Sequence, residues 1–493
     1  MLWLGAFLLS TFGWAQNRPI EIKRANKGYY KKSDESKNRL VGAVLFEHEG
    51  ALLYCDSAWL YVERNRVEAF GNVHIVQNDT LHLYGDRIDY DGNTKVAVAT
   101  GKTVVLQDPK MRLTTNRMVF DRKDQTARYN TGGTIVNDEN TLTSQNGVYY
   151  ANIREFRFSR NVDLTNPRYT LKSDTLNYNT ATRIATFAGP TEIVGKDGNT
   201  LYSESGFYNT ANDQARFADR SRMIDGPRTL SGDSLYYDRK RGIGRAYGNV
   251  LLTDTVEKSA ISGGYGEYGE TPEYAMVTLD PIYTLYDERD SLHIHGDTLR
   301  YRLLPDGTKK MRIRRGVRIF RKDLQGVCDS MIYTGSDSTF KMFVEPVLWS
   351  DRSQLSGDTI WLEMRNGKMD SLRIHGNAFV METDTLERYQ QIRGKRMKGG
   401  FKDDQLHRMR SSGNGQTVYW AREKDGAEVG VNRADCSDLM MVFREGKPIR
   451  ITFLVQPDAY LYPTATAPPD QLILKGFKPR YGERPERKAD LLR

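Results

Sequence analysis

The sequence predicts an all-β fold, an elongated rolled β-sheet (an open β-jellyroll, or solenoid-like stack) built from repeats of roughly 30 residues. Three observations predict it. An acidic or amide column runs through Asp56, Asp86, Asn116, Gln145, Asp174, Glu204 and Asp233, in steps of 30, 30, 29, 29, 30 and 29 residues. Around that column one pattern recurs. Leu230 to Asp238 reads Leu-Ser-Gly-Asp-Ser-Leu-Tyr-Tyr-Asp, Leu83 to Asp91 reads Leu-Tyr-Gly-Asp-Arg-Ile-Asp-Tyr-Asp, and Ile294 to Tyr301 reads Ile-His-Gly-Asp-Thr-Leu-Arg-Tyr. Between these copies, apolar and polar residues alternate with a period of two, which is the signature of strands.

Each repeat has a second half, an apolar residue and a Gly before an alternating run, as in Ala69-Phe70-Gly71-Asn72-Val73 and Ala246-Tyr247-Gly248-Asn249-Val250. One repeat is therefore expected to hold two to three short strands. The Gly-Asp step predicts a corner. Leu83 and Ile88 are five residues apart, as are Leu230 and Leu235. On a flat strand that odd spacing puts them on opposite faces. A bend at Gly-Asp brings both inside, with the carboxylate bonding backbone amides freed by the bend. A single repeat cannot bury its own apolar face, whereas stacked repeats share one core.

Taken in order, residues 1–15 are apolar and end in Gly13-Trp14-Ala15, the form of a cleavable signal peptide. Residues 16–48 are polar and basic and read as a flexible lead-in. The regular array spans residues 49–255. A second, less regular array follows over 256–446, where the column continues through Asp297, Asp329 and Asp358. Residues 447–493 read as terminal strands and a Pro-rich, charged tail.

Net charge is +9, with a pI of about 9.1, which favours anionic partners. The three cysteines, Cys55, Cys328 and Cys436, lie in distant repeats and form no disulfide framework. Gly264-Tyr265-Gly266-Glu267-Tyr268-Gly269 matches the dinucleotide-binding spacing but lacks the strand-and-helix context it needs. His293 and His295 alternate on one strand and read as surface residues. No catalytic or metal motif stands out, and no cofactor is expected. The densest basic run, Lys309 to Lys322, alternates so that Lys310, Arg312 and Arg314 share one face, a candidate anion-binding stripe. No nucleic-acid module is recognised.

An exported array of Leu-x-Gly-Asp-x-apolar-x-Tyr-Asp units, each followed by Ala-x-Gly-x-Val, resembles the LptA/OstA-like family of periplasmic lipopolysaccharide-transport proteins. The resemblance covers roughly residues 50–440 and is best over 50–255. It implies an open β-jellyroll whose apolar groove holds lipid A acyl chains. It also implies protomers or partner transport proteins joined end to end through edge strands, in the periplasm or associated with the outer membrane. The chain is much longer than one short bridge protein, so two such modules are expected. Inward residues after the corner are the candidate groove: Ile88, Met118, Leu176, Leu235, Leu299, Met331 and Ile360. Two other readings stay open: a structural or adhesive exported solenoid with no lipid ligand, and a polysaccharide-processing β-helix enzyme. The latter needs a unit with a distinct acidic or basic cluster, which the sequence does not offer; no enzyme is expected.

Overall fold

The repeat is built from long strands rather than short ones. In the computed structural model, typical strands are Ala51–Tyr61, Arg66–Gln77, Leu81–Asp91 and Val96–Asp108, each pairing antiparallel with the next. The structure describes residues 18–30, 37–137, 139–287, 290–365, 368–383, 388–402, 405–423, 427–444 and 447–493. The expected signal peptide lies outside them. Among the described residues there are no α-helices, only three short 3-10 turns near the C-terminus. Two strands make one repeat, within the expected two to three, but they are long and not short. Around residues 126–150 the strands break up, into Thr126–Tyr129, Gly133–Asn137, Asn140–Ser144 and Asn146–Tyr150, and they do so again over residues 273–303 and 339–365.

Each long strand bends once, at the expected corner. Between Tyr84 and Arg87 the ladder slips against Val96–Asp108, as it does between Tyr54 and Ser57 and between Ser231 and Ser234. Leu83 and Ile88 are both buried despite their odd spacing. The Asp and Gly halves of the motif prove to be one device. Asn72 Nδ2 donates to Asp56 Oδ2 at 2.9 Å, Asn249 Nδ2 to Asp233 Oδ1 at 3.1 Å, and Asn377 Nδ2 to Asp358 Oδ1 at 3.1 Å. At Asp86 the donor is the backbone N–H of Lys102, at 2.8 Å. Gly71 has a φ of +73°, and a Cβ there would meet Asp56 Oδ2 at 2.5 Å. The carboxylate thus occupies the space a side chain would need, and both the φ and the crowding require Gly. Because these carboxylates are exposed, Asp233→Ala should cost on the order of 1 kcal/mol, read as a small drop in Tm, and spare ligand binding. Wild-type stability with lost function would contradict a purely structural Asp.

The chain forms two compact units, Met1–Asp219 and Arg220–Arg493. The division falls about one repeat before the expected seam at residue 255. In the first unit, the described residues of the stretch 16–48 are mostly strand rather than a flexible lead-in. They form strands Glu21–Arg24, Lys27–Tyr30 and Lys37–His48, because Leu40, Val44 and Phe46 alternate into the core.

The bend gives each unit two walls. In the first unit, one wall presents Phe46, Leu53, Ile75, Leu83, Leu106 and Leu113 inward. The other presents Val67, Ile88, Tyr90, Met118 and Phe120. The walls face each other, since one small cavity is lined by Phe46, Leu53 and Ile75 together with Val67 and Tyr90. The second unit repeats the plan, with Ile294, Ile319 and Leu324 facing Met331, Phe340 and Leu362 across another cavity.

The tail of the second unit closes the outer face of one wall. Gln325, Trp349, Gln354, Met381, Gln391 and Val418 stand in register across successive strands. Residues 472–484 cross them. Gln391 donates to Leu472 O at 2.8 Å and accepts from Leu474 N at 2.9 Å. Gln354 donates to Lys478 O at 2.9 Å and accepts from Arg480 N at 2.7 Å. Each buried amide acts as a backbone surrogate, satisfying a tail segment that makes no ladder of its own. Leu474 and Phe477 pack with Phe379, Met381, Val418 and Val431.

Candidate functional site

The candidate groove residues all point inward and are all buried, Leu235 most exposed at 4%. In the second unit the ladder brings four of them into one row. It runs Leu235, Ala246, Gly266, Val277, Leu299, Ile313, Met331, Met342, Ile360, Ile374 and Met397. At about 4.8 Å per strand, the step from Leu235 to Ile360 covers roughly 40 Å. In the first unit Ile88 and Met118 share a row with Ala58, Ala69 and Ala99, while Leu176 sits between Phe158 and Phe187.

Around these candidate residues the expected open trough is filled. The interior cavities under Tyr90 and beside Met331 each hold about 10 Å³, space for no more than about one water. The core of the second unit is notably rich in methionine, with Met311, Met331, Met342, Met369, Met397, Met409 and Met441. Unbranched thioether chains repack at low cost, so this interior adapts to a guest more readily than one of branched residues.

Opposite the corner, the rims of the two walls meet through polar contacts that sequence reading did not anticipate. In the first unit Glu49 and Lys95, on turns of opposite walls, pair at 2.6 Å. His48 Nδ1 lies 2.7 Å from Tyr90 Oη, and Arg122 Nη1 donates to the same hydroxyl at 2.7 Å. Tyr149 donates to Asp108 Oδ2 at 3.3 Å, and burial first, then that carboxylate, pushes its phenol up to about 12. In the second unit Lys309 and Glu257 pair at 2.7 Å. The partners are 30 to 50 residues apart in most of these pairs, and no short motif encodes them.

The basic run behaves as its alternation predicts. Arg312 and Arg314 are exposed, Met311 and Ile313 buried, and Lys310 half-buried. The ladder extends it well beyond one strand. Arg300, Arg312, Lys341, Arg373, Lys398 and Arg410 fall in one outward row, backing the inner row through Met331. Glu363 offsets Arg373 and Asp438 offsets Arg410, each at 2.7 Å. Arg300, Arg312 and Arg314 have no carboxylate partner among the described residues. The double charge reversal Arg312→Glu, Arg314→Glu should weaken association with vesicles containing anionic lipid about tenfold at low salt and flatten its salt dependence, with Tm nearly unchanged. Unaltered binding at low salt would reduce the row to a solvated surface.

No metal or nucleophile centre emerges. Among the described residues no group of three or more His, Cys, Asp or Glu is placed to hold a metal ion. His293 bonds Thr284 and His295 bonds Pro281 O rather than sharing a ligand. The three cysteines are free and buried, and burial pushes the Cys55 and Cys328 thiols up to about 12. No described helix is long and apolar enough to cross a membrane.

Residues 17–174 and 169–233 match the model of the OstA-like protein family. Over residues 17–233 the chain is therefore similar to the OstA-like family. No curated protein matches the chain. Among solved structures, the chain is similar to LptH from Pseudomonas aeruginosa, described as the LptA-homologous periplasmic component of the conserved lipopolysaccharide transport device. That likeness is 15% in identity, covers 22% of this chain and 75% of LptH, and has a TM-score of 0.19. At the end of the matched region and beyond it, the corners at Asp233–Asn249 and Asp358–Asn377 repeat the geometry of Asp56–Asn72.

Proposed function

We propose that this chain is a non-catalytic carrier of lipopolysaccharide in the periplasm. Acyl chains of lipid A would lie between the two walls, against Ile88, Met118 and Leu176 in one unit and Leu235, Leu299, Met331 and Ile360 in the other. The carrying observation is the continuous inner row of apolar side chains, running along the axis of the second unit between walls whose free rims meet through polar contacts. Parting such rims costs a few partly exposed ion pairs, each worth about 1 kcal/mol or less, and buried hydrogen bonds such as those at Tyr90, each worth about 1–3 kcal/mol. The apolar surface then uncovered is what an acyl chain covers again, at about 0.8 kcal/mol for each buried methylene.

Partners fit the sheet edges. Lys447–Phe453 and Asp458–Tyr462 each pair on one side only, with Glu428–Arg444, among the described residues. Tyr460 and Leu461 are exposed there. Glu21–Arg24 and Lys27–Tyr30 likewise pair only with Lys37–His48. Open edges of this kind accept a further strand from another transport protein or a second copy.

A structural or adhesive roll without a ligand shares one observation with this reading, the filled interior. Mass spectrometry of lipid retained by the chain when it is purified from native membranes separates the two. The carrier reading expects an acylated, phosphorylated glycolipid in near-stoichiometric amount. A folded chain free of acylated lipid supports the ligand-free roll instead.

A further inference from the structure

The rim contact at Arg122 is built differently from the others. Its side chain leaves the turn after Met111–Asp121 on one wall and reaches the turn after Lys37–His48 on the other. The residue is only 8% exposed. Nη1 donates to Tyr90 Oη at 2.7 Å, Nη2 to Glu49 O at 3.2 Å, and Nε to Gln77 Oε1 at 3.4 Å. All three acceptors are neutral. The nearby Glu49 carboxylate is taken by Lys95 at 2.6 Å. A guanidinium has five N–H donors, so two remain beyond these bonds.

The hydroxyl it binds is already committed. His48 Nε2 faces Arg18 O at 2.9 Å, and a carbonyl only accepts, so Nε2 carries the proton. His48 Nδ1 then accepts from the Tyr90 hydroxyl, whose oxygen accepts from Arg122. None of the direct hydrogen-bond partners of Arg122 is an anion, and the nearby carboxylate, Glu49, is bonded to Lys95. A buried cation with only neutral partners is costly unless an anion joins it. Directly beneath lies the apolar cavity lined by Phe46, Leu53, Val67 and Ile75.

We propose that Arg122 is the headgroup anchor of an amphiphile site in the first unit. The ligand class is an acyl chain bearing a phosphate. The phosphate takes the spare N–H donors of Arg122 at the rim, and the chain enters the interior past Tyr90. This rests on the reading of the interior as an acyl site and adds to it the place, and the charge, at which the ligand is recognised. A bidentate guanidinium–phosphate pair in a dry rim is strong and selective.

Binding of dodecyl phosphate and of uncharged dodecyl maltoside, both below their micelle thresholds, tests it on the full chain by displacement of a fluorescent fatty acid. The anchor predicts at least a tenfold preference for dodecyl phosphate. Arg122→Met should abolish the preference, read as the ratio of the two affinities, and Arg122→Lys, which keeps the charge, should retain part of it. Inorganic phosphate alone should not displace the probe, since it lacks the chain; displacement by phosphate would overturn the amphiphile assignment. If Arg122→Met does not fold, Arg122→Gln carries the same test. Equal binding of the two detergents by the wild-type chain, or a preference that survives Arg122→Met, overturns the anchor but not the interior site. Failure of a folded chain to bind either detergent overturns both.

Discussion

Removing everything after Pro463 should destabilise the Arg220–Arg493 unit by about 5 kcal/mol, the largest effect expected of any change that leaves both walls intact. The loss has two sources. Trp349, Met381, Val418 and Val431 are each under 2% exposed beneath or beside the tail and would face water. Burial of such side chains is worth about 1.5–3 kcal/mol each, an upper bound because the unfolded chain also shields some of that surface. Gln354 and Gln391 would also lose the tail groups they bond, though water can replace those partners. Denaturant unfolding of the truncated chain measures the cost. Hydrogen exchange should speed up at Gln354 and Gln391 while the Met1–Asp219 unit keeps its protection. A truncated chain that unfolds with the wild-type midpoint would show that the tail is a passive appendage.

Leu176→Asp comes second. Leu176 is fully buried between Phe158 and Phe187. A carboxylate there loses the leucine's burial and is itself desolvated without a partner, at a combined cost of roughly 4–5 kcal/mol. The neighbouring Thr175→Asp should stay within about 1 kcal/mol, since Thr175 stands on the opposite, partly exposed face. The contrast between adjacent positions is what the experiment reads. Equal effects at 175 and 176 would mean the strand does not present Leu176 inward.

The corner was legible in the sequence because it breaks a parity rule. Leu83 and Ile88 cannot both be buried on a flat strand, and the only residues between them suited to a bend are Gly85 and Asp86. What Asp86 does there was less legible. Its partner is the Gly101–Lys102 step on the next strand, 16 residues on from Asp86, and only the ladder register shows that the two halves of the motif meet. The basic stripe shows the same limit. Alternation placed Arg312 and Arg314 outward, but the alignment of Arg312 with Lys341, Lys398 and Arg410 depends on pairing across strands of unequal length.

Other features left no local trace. The rim contact of Arg122 with Glu49 joins residues 73 apart, and in the sequence Arg122 is one more basic residue in a polar turn. Residues 16–48 looked flexible because polar and basic side chains dominate; the alternation of Leu40, Val44 and Phe46 is short and is interrupted by its own corner at Gly42-Ala43. The filled interior was not predictable either. Periodicity says which side chains point inward, not how closely opposing walls approach, and that separation decides between a trough and a core.

The central claim is that the inward face carries acyl chains. Photo-crosslinking in living cells tests it most directly, with a photoreactive residue placed singly at Ile88, Met118, Leu176 or Leu235 and, as paired controls, at Arg87, Arg117, Thr175 or Ser234. The first four point into the roll and their chain neighbours point away from it. The account predicts lipopolysaccharide adducts at the inward four and none at the outward four. Adducts that ignore this alternation, or none at any inward position of a correctly folded chain, would contradict it.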